Sequence, residues 1–365
     1  MNKFSHLVKR CDHKIFASSV SLSLIGIFTL TAITYDKTPF LSREVIIQSA
    51  ALVIGITFAC VILMLGYRYF TDLEKVIYIS SIMLLLLVYI PGLGTSVNGA
   101  RSWIDLGFIS FQPSEIVKIS FILLMASYLS RSASSLSDNI GILSAALYGL
   151  PFILLVSRED FGSGCIYCAI WLFMIFCSGL KLKIIGRFAL VFTMMLPMFY
   201  FFLADYQKER IDAFLDPADL DLPGNYQVWN SKVAIGSGGL FGKGWMNGTQ
   251  SSLGFLPVPQ SDFIFAASVE IIGFCGGLVI ILLFALLIYR ALMITRYAKD
   301  LQGALTGAGI AGMFFFQSFE NIAMTMGLMP VTGITLPFMS YGGTSMVSAW
   351  MGVGLLLSVS CRQRL

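Results

Sequence analysis

The sequence predicts an all-α polytopic membrane protein with about ten transmembrane helices. Hydrophobic residues make up 57% of the 365 residues and charged residues only 12%, whereas soluble domains carry about 25% charged residues. The mean hydropathy is +0.82. Apolar runs of about 20 residues, the length that crosses a bilayer core, follow one another along the chain.

These apolar runs divide the chain into ten predicted spans within a single integral membrane domain, residues 1–365. The spans are residues 15–34, 45–66, 76–93, 113–130, 140–157, 162–180, 187–204, 263–289, 303–326 and 342–360. The first run follows several basic residues and lacks a small-residue cleavage site. It is therefore predicted to be a retained span rather than a signal peptide.

The distribution of charge predicts the orientation. With both termini in the cytoplasm, most Lys and Arg residues fall in cytoplasmic loops, as the positive-inside rule requires. Acidic residues gather in or beside residues 205–262, which we predict to be a large extracytoplasmic loop between the seventh and eighth spans. The net charge of +4 is small and the basic residues are dispersed, so the sequence does not indicate nucleic-acid binding.

Two local motifs do not indicate a cofactor. Cys165 and Cys168 form a C-x-x-C inside an apolar run, where packing is the expected role, and no disulfide scaffold is implied. Residues 237–244 are rich in glycine but match neither a P-loop nor a dinucleotide fingerprint. This glycine cluster is compatible with a flexible lid.

Asp262 is the candidate catalytic residue. It closes the polar segment 205–262 and stands at the mouth of the eighth predicted span. A carboxylate near a bilayer core costs several kcal/mol unless it lines a wet cavity, so this placement predicts a functional site. The alternative is that Asp262 only caps the following helix.

Three further polar segments are expected at the same side of the membrane. Residues 98–107 are too polar to cross lipid, and their aromatic residues suit the interface. Glu115 and Lys118 are three residues apart, so they share a helix face, either as an anchoring ion pair or as part of a site. Asp160 belongs to a charged cluster, residues 158–164, that is either a connecting turn or a site.

Residues 321–345 form the last polar segment. Two prolines and several glycines break the helix here, so the backbone should be buried in protein or line a cavity. Taken alone, the pattern is typical of a transporter's broken helix or of a re-entrant loop.

Together, these segments resemble the SEDS family of bacterial cell-wall polymerases, which includes RodA, FtsW and SpoVE. The matching motifs are residues 98–104, 112–115 with Lys118, 262–266, 327–333 and 336–343. These motifs, in this order and spacing, span most of the chain. The sequence of residues 330–334 is most similar to the RodA branch. Two positions depart from the family pattern: Glu270 is followed by Ile271 rather than a second Glu, and Thr335 replaces a frequent Pro.

The resemblance implies a peptidoglycan glycosyltransferase that polymerises lipid II on the outer face of the cytoplasmic membrane during cell elongation. Asp262 would act as the general base, and undecaprenyl diphosphate would leave. The resemblance places the substrate and diphosphate contacts at Arg101, Glu115, Lys118, Asp160, Lys243, Ser340 and Tyr341. A divalent cation, Mg²⁺ or Mn²⁺, is an open option and no organic cofactor is expected.

The resemblance also implies partners. A class B penicillin-binding protein would crosslink the strands, together with other proteins of the elongation complex, since nothing in this sequence resembles a complete peptide-crosslinking site. The alternative from another class is a lipid II flippase, and the division (FtsW) and sporulation (SpoVE) paralogues would share the polymerase chemistry. A polymerase needs a base at the outer mouth, whereas a flippase needs access from both sides.

Overall fold

A computed structural model describes residues 11–34, 42–97, 100–105, 107, 110–132, 139–179, 186, 205–219, 221–222 and 224–363. In its first half the helices are α1 (His13–Thr34), α2 (Arg43–Leu65), α3 (Tyr67–Asp72), α4 (Glu74–Leu86), α5 (Pro113–Arg131), α6 (Asn139–Glu159) and α7 (Phe161–Cys177). The seventh predicted span, residues 187–204, lies outside the described residues. The later helices are α8 (Asp205–Leu215), α9 (Asn225–Ser237), α10 (Thr249–Ser252), α11 (Ile264–Arg296), α12 (Leu301–Thr325) and α13 (Gly343–Gln363).

The all-α polytopic class is confirmed. Six described helices are long and apolar enough to cross a membrane: α1, α2, α5, residues 141–159 of α6, α11 and α13. The helices α4, α7 and α12 lie at three further predicted spans. Pro113 stands at the first turn of α5, where its missing N–H costs no hydrogen bond.

A small sheet, which the sequence did not predict, precedes α5. It contains three antiparallel strands in the order β1 (Gly94–Val97), β2 (Ala100–Asp105) and β3 (Ser110–Phe111). Gly94 pairs with Ile104, and Ile104 pairs with Phe111. The polar segment after α4 thus satisfies its backbone groups by strand pairing, which is how a non-helical segment meets its hydrogen-bond requirement.

Close helix packing depends on a few glycines. A Cβ at Gly26 of α1 would lie 2.6 Å from the Met339 Cα, and one at Gly354 of α13 would lie 2.7 Å from the Ala59 Cα of α2. Small residues let membrane helices approach to backbone contact, where dispersion forces replace the missing hydrophobic drive. The first contact holds α1 against the segment before α13, and the second holds α13 against α2. Helix α12 packs against α5, α7, α9, α11 and α13.

The long helix α11 is broken at Gly273, whose φ of 75° is non-helical. The break leaves backbone groups without their helical partners, and the glycine cluster supplies new ones. Lys243 N donates to Glu270 O at 2.9 Å and Gly244 N to Ile271 O at 3.1 Å, while Phe274 N donates to Gly239 O at 2.9 Å. The cluster is therefore bonded to a helix break, which does not fit the flexible lid expected from sequence.

Helix α9 runs alongside the first part of α11. Ser231 Oγ donates to the Thr325 carbonyl at the end of α12 at 2.7 Å. Just after α9, Gly238 lies so close to α11 that a Cβ there would be 2.3 Å from the Val269 carbonyl oxygen. About 16 Å of helix separate Asp262 from Gly273, at 1.5 Å per residue. The segment predicted as a loop thus contains helices, and its glycine turn lies beside the interior of α11.

Candidate active site

Asp262 lies immediately before α11, but its carboxylate does not cap that helix. The N-cap residue is Phe263, and no side chain caps the helix in the described structure. The Asp262 side chain is half-buried, and its Oδ1 accepts a hydrogen bond from Ser261 Oγ at 2.9 Å. The capping alternative is therefore wrong.

The backbone around Asp262 is held by the broken segment that follows α12. Asn321 Nδ2 donates to the Asp262 carbonyl at 2.9 Å and to the Ile334 carbonyl at 2.7 Å. Ser340 Oγ donates to the Ser261 carbonyl at 2.6 Å, and Tyr341 N donates to the Gln260 carbonyl at 2.8 Å. Asp262 is thus clamped between two parts of the chain that are distant in sequence.

Gln48 supports this clamp from α2. It is fully buried, its Nε2 donates to the Ser340 carbonyl at 2.9 Å, and its Oε1 accepts from Gly342 N at 3.1 Å. Sequence analysis did not single it out. A polar side chain inside an apolar span is the signal that would have done so.

A cleft opens beside Asp262, with a volume of about 340 Å³ that includes the solvent at its mouth. Its lining residues are Asp160, Phe161, Gly162, Arg210, Ile211, Pro330, Val331 and Thr332. Arg210 Nη1 donates to the Thr332 carbonyl at 3.0 Å. At the next residue, Gly333, a Cβ would lie 3.6 Å from Asp262 Oδ2, so this backbone joins the cleft to the carboxylate.

The surroundings of Asp262 favour a basic carboxylate. Burial raises the pKa of Asp262 above its usual value, and the negative charge of Asp160 raises it further. The hydrogen bond from Ser261 and the positive charge of Arg210 oppose this rise without cancelling it. A raised pKa makes the ionised form a stronger proton acceptor, which suits a general base.

Asp160 reaches the same cleft, but its carboxylate caps α7. It accepts from Gly162 N at 3.2 Å, Ser163 N at 3.0 Å and Ser163 Oγ at 2.6 Å. The connecting-turn explanation therefore accounts for its position, while its charge still acts on Asp262.

Glu115 and Lys118 pair with each other on one face of α5. Lys118 Nζ lies 2.8 Å from Glu115 Oε1, and both side chains are buried. Ser348 Oγ of α13 donates to the other carboxylate oxygen at 3.0 Å. The pair links α5 to α13, which agrees with the anchoring alternative, while the predicted substrate role stays a prediction.

The other predicted site residues make hydrogen bonds within the protein or have side chains outside the described structure. Lys243 Nζ contacts Glu270 Oε1 at 2.8 Å and Thr249 Oγ1 at 2.6 Å. Ser340 and Tyr341 hold the backbone of residues 260–261. Arg101 lies in β2, but its side chain is outside the described part of the structure.

Sequence reasoning missed Arg210 and Glu320 at this site, and it included Asn321 and Thr332 only as members of the segment 321–345, without individual roles. Glu320 is 1% exposed, and its Oε1 accepts the hydroxyl of Thr332. A single carboxylate within an otherwise apolar helix was the available signal. Arg210 gave none, because it stands in a charged amphipathic segment.

No preformed metal site is present among the residues that the structure describes. These residues contain no group of three or more His, Cys, Asp and Glu side chains that could hold a metal ion. The divalent cation considered from sequence stays a prediction, because a cation held mainly by a substrate diphosphate needs only one or two protein carboxylates.

Fold and site together define a polytopic membrane protein with a cleft beside Asp262, lined by apolar residues together with Asp160 and Arg210. The model of the FtsW/RodA/SpoVE family, described as "Cell cycle protein", matches residues 10–365. The chain belongs to this family.

Curated relatives come from several branches of the family. The chain is 38% identical over 290 residues to the peptidoglycan glycosyltransferase MrdB of Escherichia coli K12, covering 79% of this chain and 78% of MrdB. It is 34% identical over 354 residues to the stage V sporulation protein E of Bacillus subtilis, covering 93% of each. It is 32% identical over 425 residues to the peptidoglycan glycosyltransferase RodA of Treponema pallidum, covering 96% of this chain and 98% of that protein.

Solved structures share the fold. A chain from a peptidoglycan synthase complex, described as coordinating polymerization and crosslinking, superposes with a TM-score of 0.80 at 28% identity, covering 97% of this chain and 98% of that one. The rod shape determining protein RodA of Thermus thermophilus superposes with a TM-score of 0.69 at 27% identity, covering 97% and 98%. The predicted similarity to RodA is confirmed.

Proposed function

We propose that this chain is a peptidoglycan glycosyltransferase that polymerises lipid II during cell elongation, with Asp262 as its general base. The observation that carries the proposal is the Asp262 carboxylate, which is half-buried beside the cleft that Asp160 and Arg210 line, and which does not cap the helix that follows it. Relatives named peptidoglycan glycosyltransferases support the reaction class.

In this reaction the 4-hydroxyl of an incoming lipid II attacks the anomeric carbon of the growing glycan. A new carbon–oxygen bond forms while the bond from that carbon to undecaprenyl diphosphate breaks, and the diphosphate leaves with the electron pair. Asp262 takes the hydroxyl proton, a contribution of about 10²–10⁴-fold to the rate. Attack from the face opposite the leaving group inverts the anomeric configuration.

The leaving diphosphate needs positive charge, because developing negative charge is the main electrostatic cost of the step. Arg210 lines the cleft beside Asp262 and is the cation that best fits this task. The cations that the sequence suggested for this role are Arg101, Lys118 and Lys243. Lys118 already pairs with Glu115, and Lys243 with Glu270. An arginine also presents several donors in a planar fork that suits phosphate oxygens.

A membrane bundle suits a lipid-linked substrate. The polyprenyl tail can stay in the bilayer while the diphosphate lies at Arg210 and the sugars at the solvent-open mouth of the cleft. The apolar tail then avoids water and the charged groups avoid lipid. The site would face the outside and both termini the cytoplasm. In a cysteine-free background, Glu209→Cys should react with an impermeant thiol reagent from outside, and Lys299→Cys only after permeabilisation; the reverse pattern would invert this topology.

A class B penicillin-binding protein is the proposed partner, and other elongation-complex proteins would join it. The structural similarity to a chain of a synthase complex that coordinates polymerization and crosslinking supports this assignment. The partner would supply the crosslinking activity.

Purified protein reconstituted with lipid II on the accessible leaflet tests the function. We expect glycan chains and free undecaprenyl diphosphate, both formed about 10²–10⁴-fold more slowly with Asp262→Asn. Transfer of lipid II between leaflets without glycan formation would instead identify a flippase.

A further inference from the structure

Glu320 is a buried carboxylate that the proposed chemistry does not use. It lies near the end of α12 and is 1% exposed. Its Oε1 accepts the Thr332 hydroxyl, whereas its Oε2 is buried without a hydrogen-bond partner among the described residues. A buried polar atom without a partner is costly, and an ionisable residue inside a membrane bundle is a functional hypothesis by default.

Thr332 connects Glu320 to the cleft. Its hydroxyl donates to Glu320, and its carbonyl accepts from Arg210 Nη1 at 3.0 Å. The same carbonyl oxygen would lie 2.9 Å from a Cβ at Gly162, so α7 approaches it from the other side. Rotation of the Thr332 peptide would therefore withdraw the carbonyl that accepts from Arg210.

The next residue extends this connection to Asp262. Gly333 has a φ of 77° and places its backbone beside Asp262 Oδ2. Glu320 is one hydrogen bond from Thr332, which lines the cleft. Among the described residues, the charges of Asp262, Asp160 and Arg210 act on Glu320, so Glu320 lies next to the site without lining it.

We propose that Glu320 is a positioning residue that acts through Thr332. It fixes the Thr332–Gly333 backbone so that the Thr332 carbonyl docks Arg210 in the cleft while Gly333 lies against the Asp262 carboxylate. Glu320 itself does not line the cleft. The inference rests on the proposed function, because it gives Arg210 the task of binding the lipid-linked diphosphate.

The test compares Glu320→Met, which removes the acceptor at similar size, with Glu320→Gln, whose amide oxygen still accepts the Thr332 hydroxyl. Glu320→Met should weaken binding of undecaprenyl diphosphate and raise the KM for lipid II, each about tenfold, the size expected when one buried hydrogen bond is lost. The kcat should change less, and Glu320→Gln should recover most of the loss. Ser318→Ala is the matched control, because the hydrogen bonds described for its hydroxyl go to carbonyls of its own helix.

The decisive measurement repeats these variants in an Arg210→Ala background. If Glu320 acts through Thr332 and Arg210, Glu320→Met should have almost no further effect on binding there, since coupled residues are not additive. Independent, multiplying effects would overturn the proposal, as would parental binding by Glu320→Met. Thr332→Val against Thr332→Ser repeats the comparison if Glu320→Met does not fold.

Failure of the proposed function gives a different pattern. A parent protein that binds undecaprenyl diphosphate but makes no glycan chains contradicts the polymerase assignment, while the binding coupling still decides the role of Glu320. A parent protein that binds no undecaprenyl diphosphate contradicts the positioning role.

Discussion

Two carboxylates near the start of α11 have opposite environments. Glu270, about two helical turns after Asp262, is fully buried. It accepts hydrogen bonds from Lys243 Nζ at 2.8 Å, Gln250 N at 2.8 Å, and Ser251 N and Oγ at 3.0 and 2.8 Å. Asp262 is half-buried, and the side-chain hydrogen bond described for its carboxylate comes from Ser261.

The difference separates a structural carboxylate from a chemical one. Glu270 ties the glycine cluster and α10 to the break in α11, and all its bonds serve the fold. Asp262 stands beside a cleft, and its burial is not matched by an equal set of donors. A base must keep a lone pair available for the substrate proton, so incomplete satisfaction is what the reaction requires.

The largest expected effect comes from Asp262→Asn. The amide is nearly isosteric but does not accept a proton at neutral pH, so turnover should fall by about 10²–10⁴-fold. Because the folded-state pKa of Asp262 is raised, the ionised carboxylate lowers stability once the pH exceeds its unfolded value. The variant should therefore unfold no more easily than the parent at neutral pH. If the Asp262→Asn protein, inserted in the membrane, polymerised lipid II at the parent rate, Asp262 would not be the general base.

Glu270→Gln should produce the opposite result. It removes charge-assisted hydrogen bonds and turns an amide N–H₂ towards backbone donors, which should cost about 1.5–3 kcal/mol of stability. The folded fraction should keep most of its turnover. Thermal unfolding in detergent and lipid II polymerisation at a permissive temperature measure the two effects. A stable but inactive Glu270→Gln protein would show that Glu270, like Asp262, contributes to turnover, and would contradict its structural assignment.

Hydropathy predicted most of the helices because each span must carry its own apolar length. The predicted span 113–130 corresponds to α5 (Pro113–Arg131), and 303–326 corresponds to α12 (Leu301–Thr325). These features are local. A window of about 20 residues contains the information that specifies them.

The break in α11 was not predictable in this way. Gly273 alone does not predict a helix break, since glycine occurs in many membrane helices. The break is satisfied by residues 239–244, which lie far away in sequence. The same limit applies to the site: Asp262 was found from its own position, whereas Arg210 and Glu320 depend on a contact with Thr332 that no local pattern reveals.

The pH dependence of turnover offers a finer test of the Asp262 environment. The base works when ionised, so kcat/KM should be lost as the pH falls through the raised pKa of Asp262, above the ordinary aspartate value of about 4. Asp160→Asn removes a negative charge that raises this pKa. The acidic limb should then move to lower pH. A limb that stays in place would show that the two carboxylates do not interact.

The smallest expected effect concerns Asp160 as a helix cap. Asn is as good an N-cap as Asp, so Asp160→Asn should keep the stability of the parent, whereas Asp160→Ala should lose about 1 kcal/mol. Thermal unfolding of both variants measures this difference, and Ser163→Ala is a matched control because it removes only the hydroxyl that bonds Asp160. If Asp160→Asn is stable and its turnover falls by more than the pH shift explains, Asp160 contacts substrate as the sequence predicted. Asp160 would then belong with Asp262 rather than with Glu270.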